Sequence, residues 1–402
     1  MIDSFRINKR RNVMVRLSLV FFLLFATFSV MGALMPLYLK ELGLSTEQVG
    51  FQLAMGAVIA VIGQPFFGYV SDKLQSTKKV LISVMIISLF ISFFYFTAKS
   101  FVSLLILFIV LNFFKSSTGP LMENITITFS QKNNKNYGSI RLWGDVGVGS
   151  AAVILGVLIG VFGIEYLGVM YALILVAAII VSFFLRDGRQ KSATPISLYS
   201  VLKLLKNKEY LWFLLLSLIL FTTHRMNDSL LTVYLSDLGA SESHVGLAWM
   251  IATFASAPMF IVMGKLLKKY KELTLVLVAA IFYCIRWFLY GFFDHSIVLI
   301  YLQLMNGITF PLFIVAALFF VTRIVPSEIA ATGQTIFIAV IVGIGGLIGS
   351  GGGGWYMGRY GAPATYQLGT IITIIGAILC ALTLYYQYRL ASKSLEKVNA
   401  QL

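Results

Sequence analysis

Long apolar segments recur along the whole chain, and no other feature limits its fold so strongly. The stretch VLISVMIISLFISFFYF at residues 80–96 has no polar stripe at helical period. It therefore does not read as the half-buried helix of a water-soluble fold. A membrane-spanning helix needs about 20 mostly apolar residues. Twelve segments meet that length, at approximately 15–39, 47–70, 78–97, 101–128, 140–163, 166–185, 210–235, 245–266, 272–292, 297–322, 328–353 and 363–389. Only 12% of residues are charged, about half the usual share in a soluble domain. The expectation is an all-α membrane protein of twelve transmembrane helices in two six-helix bundles. The apolar run from Leu17 to Leu39 follows a basic start but is too long for a signal peptide and has no small-residue cleavage site, so it reads as the first span.

A formal charge of +15 would suggest nucleic acid in a soluble protein, but here the placement of the charges decides. With the N-terminus inside, cytoplasmic segments hold 24 of the 31 Lys and Arg residues, whereas the outside loops hold only Lys40, Lys99 and Arg359. That asymmetry is the positive-inside pattern. It predicts both termini in the cytoplasm of a cell-membrane protein, with the lipid bilayer as partner and no nucleic acid.

The polar stretch from Arg186 to Glu209 divides the chain. The expected units are an N-terminal bundle over 1–189, a cytoplasmic linker over 190–209 and a C-terminal bundle over 210–402. Weak repeats link the halves: LGLSTEQVG from Leu42 against LGASESHVG from Leu238, and GYVSDK at Gly68 against GKLLKK at Gly264. Parallel repeats of this kind suit a two-bundle transporter. Cys284 and Cys380 have no ligand-type spacing to any His, so neither a metal site nor a disulfide framework is expected. No catalytic residues and no cofactor are expected, and energy would come from a proton gradient. A monomer is the expected state.

Charges inside the apolar segments are the site candidates. An ionised side chain at the bilayer centre costs at least about 2.5–3.5 kcal/mol, so it is normally paired or faces a watery cavity. Glu123 and Arg141 lie on consecutive antiparallel segments, and Asp145 is one helical turn from Arg141. Lys115, about two turns from Glu123, is an alternative partner for it. In the second half, His224 and Asp228 share a helix face, with Arg225 three residues before Asp228. A buried carboxylate tends to take a proton and a neighbouring Arg opposes this, so a moving arginine would load and unload it. The other reading places His224 and Asp228 solvated at the outer mouth. Gly68, Asp72, Lys73, Lys78 and Lys79, in the loop after the second segment, form a candidate conformational latch. The glycines from Gly343 to Gly354 have no preceding strand and no following Lys-Ser/Thr, so they mark close helix packing and not a phosphate loop. Asn124-Ile-Thr126 is a glycosylation sequon inside a proposed helix, which argues against its use. Trp143, Trp249, Trp287 and Tyr283 are candidates for stacking on a ring.

QPFFGYVSDKL, the spacing of Glu123 to Arg141 and the block YGSIRLWG resemble the lactose permease branch of the major facilitator superfamily. The longer block YGSIRLWGDVGVGSAAVILG is more similar still to the phenylpropionate-permease-like and nucleoside-symporter-like members of that branch. CIRW, placing Arg286, extends the resemblance into the second half. The resemblance implies that Glu123 and Arg141 grip the solute, with Asp145 close by, and that Arg286 belongs to the coupling machinery. Three departures stand out. Gln75 replaces a small residue of the latch motif, Asn306 and Thr309 stand where that permease carries its helix 10 His and Glu, and 249–264 is uncharged. The permease's own proton route is therefore not carried over.

The expected function is a secondary transporter, in preference a proton-coupled symporter of a sugar, oligosaccharide or nucleoside. An aromatic-carboxylate symporter, a drug-efflux proton antiporter and a non-transporting receptor or scaffold are the alternatives. Glu123, Asp145 and Asp228 are the candidate proton carriers.

Overall fold

The computed structural model describes residues 2–133, 135–185, 187, 203–326 and 329–399, and every regular element among them is helical. Helix α1 comprises Ile2–Ser29, a π turn at Val30–Leu34 and Met35–Glu41. It is followed by α2 (Thr46–Leu74), α3 (Thr77–Thr97), α4 (Phe101–Lys115 and Thr118–Asn133), α5 (Tyr137–Phe162) and α6 (Leu167–Phe183). The second half contains α7 (Lys208–Asp237), α8 (Glu242–Lys269) and α9 (Glu272–Phe292). Next comes α10, which joins Ser296–Leu302 to Asn306–Ile324 through a 3-10 turn at Gln303–Met305. Helix α11 runs from Ala330–Ala339 through π turns at Val340–Ile344 and Leu347–Gly352, and α12 is Gly353–Asn399. Residues 190–202 of the expected linker, with Arg186 and Arg189, lie outside the described residues.

Ten helices among the described residues are long and apolar enough to cross a membrane, with Thr332–Arg389 counted as one. That run leaves helical geometry at Gly361, where φ is +81°. A side chain would strain such a backbone, which is why glycine stands at the break. Helix α7 is 30 residues long, lies outside those ten and carries Arg225 and Asp228 on its length. The expected span over 101–128 falls within Phe101–Asn133, which carries a turn at 116–117. Ser117 Oγ donates there to the Phe114 carbonyl at 2.7 Å and Thr118 Oγ1 to the Lys115 carbonyl at 2.7 Å, back-bonding of the kind that bends helices.

The repeated turn is built alike in both halves. Gly43 and Gly239 adopt φ +82° and +74°, and a serine then caps the next helix. Ser45 Oγ accepts from the Gln48 N–H at 3.2 Å while the Gln48 side chain accepts from the Ser45 N–H, a reciprocal capping box. Ser241 Oγ accepts from the His244 N–H at 3.4 Å. Lys40 Nζ to Asp237 at 3.4 Å and Arg359 Nε to Glu47 at 3.8 Å join the two halves at this end.

Small residues let the halves meet there. A Cβ on Gly50 of α2 would lie 2.4 Å from the Ser350 carbonyl, and one on Gly349 of α11 would lie 2.4 Å from the Thr222 carbonyl of α7. Helix α11 is thus pressed between α2 and α7, as small residues permit in membrane bundles. On the other inter-half seam, Gly156 of α5 meets the Glu242 carbonyl and Gly246 of α8 meets the Ala152 carbonyl. At the far ends of α2 and α8, by contrast, a Cβ on Gly68 or Gly264 would meet nothing within 4 Å among the described residues. The close approaches between the halves named here gather towards the end carrying residues 42–45. Side chains such as Phe90, Phe93, Val161 and Leu173 are exposed on the outside, a surface that suits lipid and not water.

Candidate functional site

The first polar cluster is held by α4 and α5. Arg141 Nε donates to Glu123 Oε1 at 3.2 Å, and Arg141 Nη1 donates to Asp145 Oδ1 at 3.1 Å. The side chains keep part of their surface open, 26% for Arg141, 38% for Glu123 and 46% for Asp145. The guanidinium lies over the Phe25 ring of α1 at 4.4 Å. One cation therefore serves two carboxylates on an aromatic shelf, and its donors face groups that a solute could replace. The structure brings together all three residues named from sequence for this cluster.

Lys115 is buried and its ammonium sits over Phe28 at 4.0 Å. It is not the partner of Glu123, which pairs with Arg141 instead. Phe28 packs on Phe25 at 4.9 Å. The two aromatic rings of α1 thus receive Lys115 at one end and Arg141 at the other, each by cation–π attraction.

The second cluster lies on α7. Asp228 Oδ2 accepts from Arg225 Nη1 at 3.0 Å and stands 3.5 Å from His224 Nε2. His224 is 4% exposed, which rules out the solvated outer-mouth placement. Its ring stacks on Phe310 at 5.1 Å and meets Tyr283 edge-on at 5.7 Å. The stem of Arg225 lies against α11, where a Cβ on Gly349 would come within 3.2 Å of Arg225 Cβ. The glycine run therefore seats this arginine as well as the helix crossing.

Arg286 is 0% exposed. Its Nη1 donates to Asn306 Oδ1 at 2.9 Å and Thr309 Oγ1 at 3.2 Å, its Nη2 donates to Gln303 Oε1, and its guanidinium lies 4.8 Å from the Trp287 ring centroid. Asn306 Nδ2 in turn donates to the Ala252 carbonyl of α8 at 3.3 Å. Arg286 is a fixed cation in a shell of neutral oxygens. Gln303 was missed from the sequence, although Gln303, Asn306 and Thr309 recur every three residues and so share a helix face.

Trp287 and Tyr283 are fully buried in the α9 packing, where Trp287 Nε1 donates to Thr223 Oγ1 at 3.0 Å. They are structural and not open to a ring. Trp249 Nε1 donates to Thr232 Oγ1 at 3.2 Å, and Trp143 is exposed two positions from Arg141.

The latch loop is tied to α6. Asp187 accepts from the Lys78 N–H at 3.1 Å and from Ser76 Oγ, and Lys78 Nζ donates to the Phe183 carbonyl at 2.6 Å. Gln75 takes a left-handed conformation, φ +48°, at the end of α2. Glycine is the usual residue at such a helix end, so the unusual Gln75 sits at a position with a conformational cost. Asp187 had no signal of its own in the sequence, being one of several charges in a long polar stretch.

Comparison with known proteins agrees with this architecture. The family model described as MFS_1 like family matches residues 14–368. The uncharacterized transporter YwbF of Bacillus subtilis (strain 168) is 30% identical over 378 residues, covering 90% of this chain and 91% of that protein. The maltose permease of Geobacillus stearothermophilus is 25% identical over 368 residues, covering 90% and 93%. The crystal structure of the nucleoside transporter NupG superimposes with a TM-score of 0.81 at 17% identity, covering 93% of this chain and 98% of that one, and shares its fold. These relatives are transporters and not enzymes, and the membrane-capable helices make this a multi-pass protein of the cell membrane. The chain belongs to the MFS_1 like family of major facilitator superfamily transporters.

Proposed function

We propose that this chain carries a small polar solute, in preference a sugar or oligosaccharide and otherwise a nucleoside, together with a proton by alternating access. The observation that carries the reading is Arg141 held between Glu123 and Asp145 with all three partly open. A guanidinium flanked by carboxylates offers donors and acceptors at once, which is what polyhydroxyl recognition requires. The similarity to a maltose permease over 90% of the chain supports a sugar.

In this reading the chain spans the membrane twelve times, as a monomer with both termini cytoplasmic. α7 counts as a span, and Thr332–Arg389 counts as two spans divided at Gly361. The bundles are 1–189 and 210–402, with 190–209 as the cytoplasmic linker. The closed end carrying residues 42–45 then faces outward and the open end inward, so the conformation is inward-facing. The halves would rock about the polar clusters, with Gly68, Asp72, Lys73, Lys78 and Lys79 bracing the cytoplasmic side through Asp187. Arg225, Asp228, His224 and Arg286 form the charge network of the second half.

The test is solute-driven proton flux in proteoliposomes, with maltose, uridine and 3-phenylpropionate supplied to wild type and to Glu123→Gln. Alkalinisation of the outside medium with maltose or uridine, reduced at least tenfold in the variant, is the expected result. A response to 3-phenylpropionate alone would replace the sugar assignment by the aromatic carboxylate. Silence across the panel from folded protein would refute symport of these solutes.

A further inference from the structure

We infer that Asp145 is the carboxylate that carries the coupled proton, and that the solute loads it by taking Arg141 away from it. The inference rests on the transport reading above and assigns the coupling step within the same site.

The geometry of the three side chains sets the argument. A guanidinium presents a lateral edge at Nε, near its own helix, and a terminal edge at Nη1 and Nη2 that reaches furthest into open space. Glu123, from the neighbouring helix α4, occupies Nε at 3.2 Å, and Asp145 occupies Nη1 at 3.1 Å. A solute that grips the terminal edge in the bidentate manner typical of arginine must displace Asp145, while Glu123 keeps its place. Asp145 is the most open of the three. Once displaced, it is a carboxylate in a membrane interior that has lost its cation, and it is within reach of cavity water.

Among the described residues no other cation stands near it to take over as counter-charge. On α5 itself the neighbouring titratable groups are Arg141 and Tyr137. From α4 comes Glu123, a second negative charge. Helix α1 offers Phe21 and Phe25 beside Arg141, and its Arg16 is turned to the Phe184 carbonyl at the end of α6. Helix α8 packs on α5 through Glu242 at Gly156 and Gly160, eleven and fifteen residues beyond Asp145, or about 16–22 Å at 1.5 Å per residue. The remaining course for Asp145 is to bind a proton from the cavity water on one carboxylate oxygen, with no other bond changed. Solute and proton then enter together, and linkage requires that the proton favour solute binding by the same factor.

The experiment compares wild type with Asp145→Asn and Asp145→Glu in proteoliposomes, using whichever of maltose, uridine or 3-phenylpropionate the wild type carries. Two quantities are read: counterflow of labelled solute, which needs no net proton movement, and solute-driven alkalinisation of the outside medium. Asp145→Asn keeps the size of the side chain but cannot take a proton, so its alkalinisation is read per unit of counterflow in the same vesicles. Its alkalinisation should fall below about a tenth, and its solute affinity should no longer vary with pH. Asp145→Glu should restore proton movement. A wild-type ratio of protons to solute in Asp145→Asn would overturn the inference and leave the transport reading intact. Absence of flux in wild type and variants alike would overturn both.

Discussion

The charged clusters of the two halves use the same kinds of residue in opposite proportion. On α4 and α5 one guanidinium, Arg141, serves two carboxylates. On α7 one carboxylate, Asp228, is shared by a guanidinium and an imidazole, with the fixed cation Arg286 on the adjoining α9. The packing differs as well. The first cluster lies open on an aromatic shelf, whereas His224 is closed in by Phe221, Phe310 and Tyr283. An acid-rich, open cluster can exchange a partner for a solute or a proton. A cluster whose one acid already accepts from Arg225 and lies against His224 gains little by exchanging either, so it is better suited to hold the second bundle in shape.

The largest expected contrast is between Arg141→Gln and Arg225→Gln. A bidentate, charge-assisted grip on a solute is worth about 3 kcal/mol or more, so losing it should weaken solute binding at least about a hundredfold. Arg141→Lys should not rescue it, because an ammonium has no planar fork. Arg225→Gln leaves Asp228 its His224 contact and should change solute affinity less than about fivefold. Equilibrium binding of the transported solute in detergent measures both. Equal losses would erase the distinction between the clusters.

Stability separates Lys115 and Arg286, two buried cations that have no carboxylate in direct contact among the described residues. Arg286→Met would strip the donors from Gln303 and Asn306, and an orphaned buried acceptor costs about 1–3 kcal/mol. Thermal unfolding in detergent should shift down by several degrees. Lys115→Met should act in the opposite direction. Among the described residues its ammonium meets only the Phe28 ring, and a cation–π contact worth about 2 kcal/mol is less than the at least about 2.5–3.5 kcal/mol that a buried cation costs. The variant is expected to be more stable by about 1 kcal/mol. Destabilisation by Lys115→Met would show that this lysine has an essential partner.

How much of this was legible in the sequence depended on what carried the signal. Charges within apolar runs stood out against their surroundings, so Glu123, Arg141, Asp145, His224, Asp228 and Arg286 were found before any geometry. The turn repeats at Leu42 and Leu238 were visible because the glycine and the serine cap are local requirements. Partners chosen by rotation across helices were not visible. Spacing places Lys115 near Glu123, but its ammonium packs on Phe28 of α1, a contact that depends on how two helices are turned towards each other. Gln303 carries no charge, and its role appears only when α9 and α10 are set side by side. The glycines of α11 announced close packing, but the π turns and the seating of Arg225 depend on α2 and α7 pressing from both sides.

The smallest expected effect is the most pointed test of the comparison. In His224→Phe the new ring can keep the stacking on Phe310 and the contact with Phe221, while Asp228 retains the shorter of its two contacts, Arg225 at 3.0 Å against 3.5 Å for His224. The larger ring must be fitted into a packed wall, so stability should fall by about 1 kcal/mol, the low end of the cost of overpacking, and the ratio of protons to solute should equal that of wild type. If solute flux persisted while proton flux fell, the imidazole between Asp228 and the aromatic wall would be the coupling group. The open cluster on α4 and α5 would then bind solute alone, and the roles assigned to the two halves would have to be exchanged.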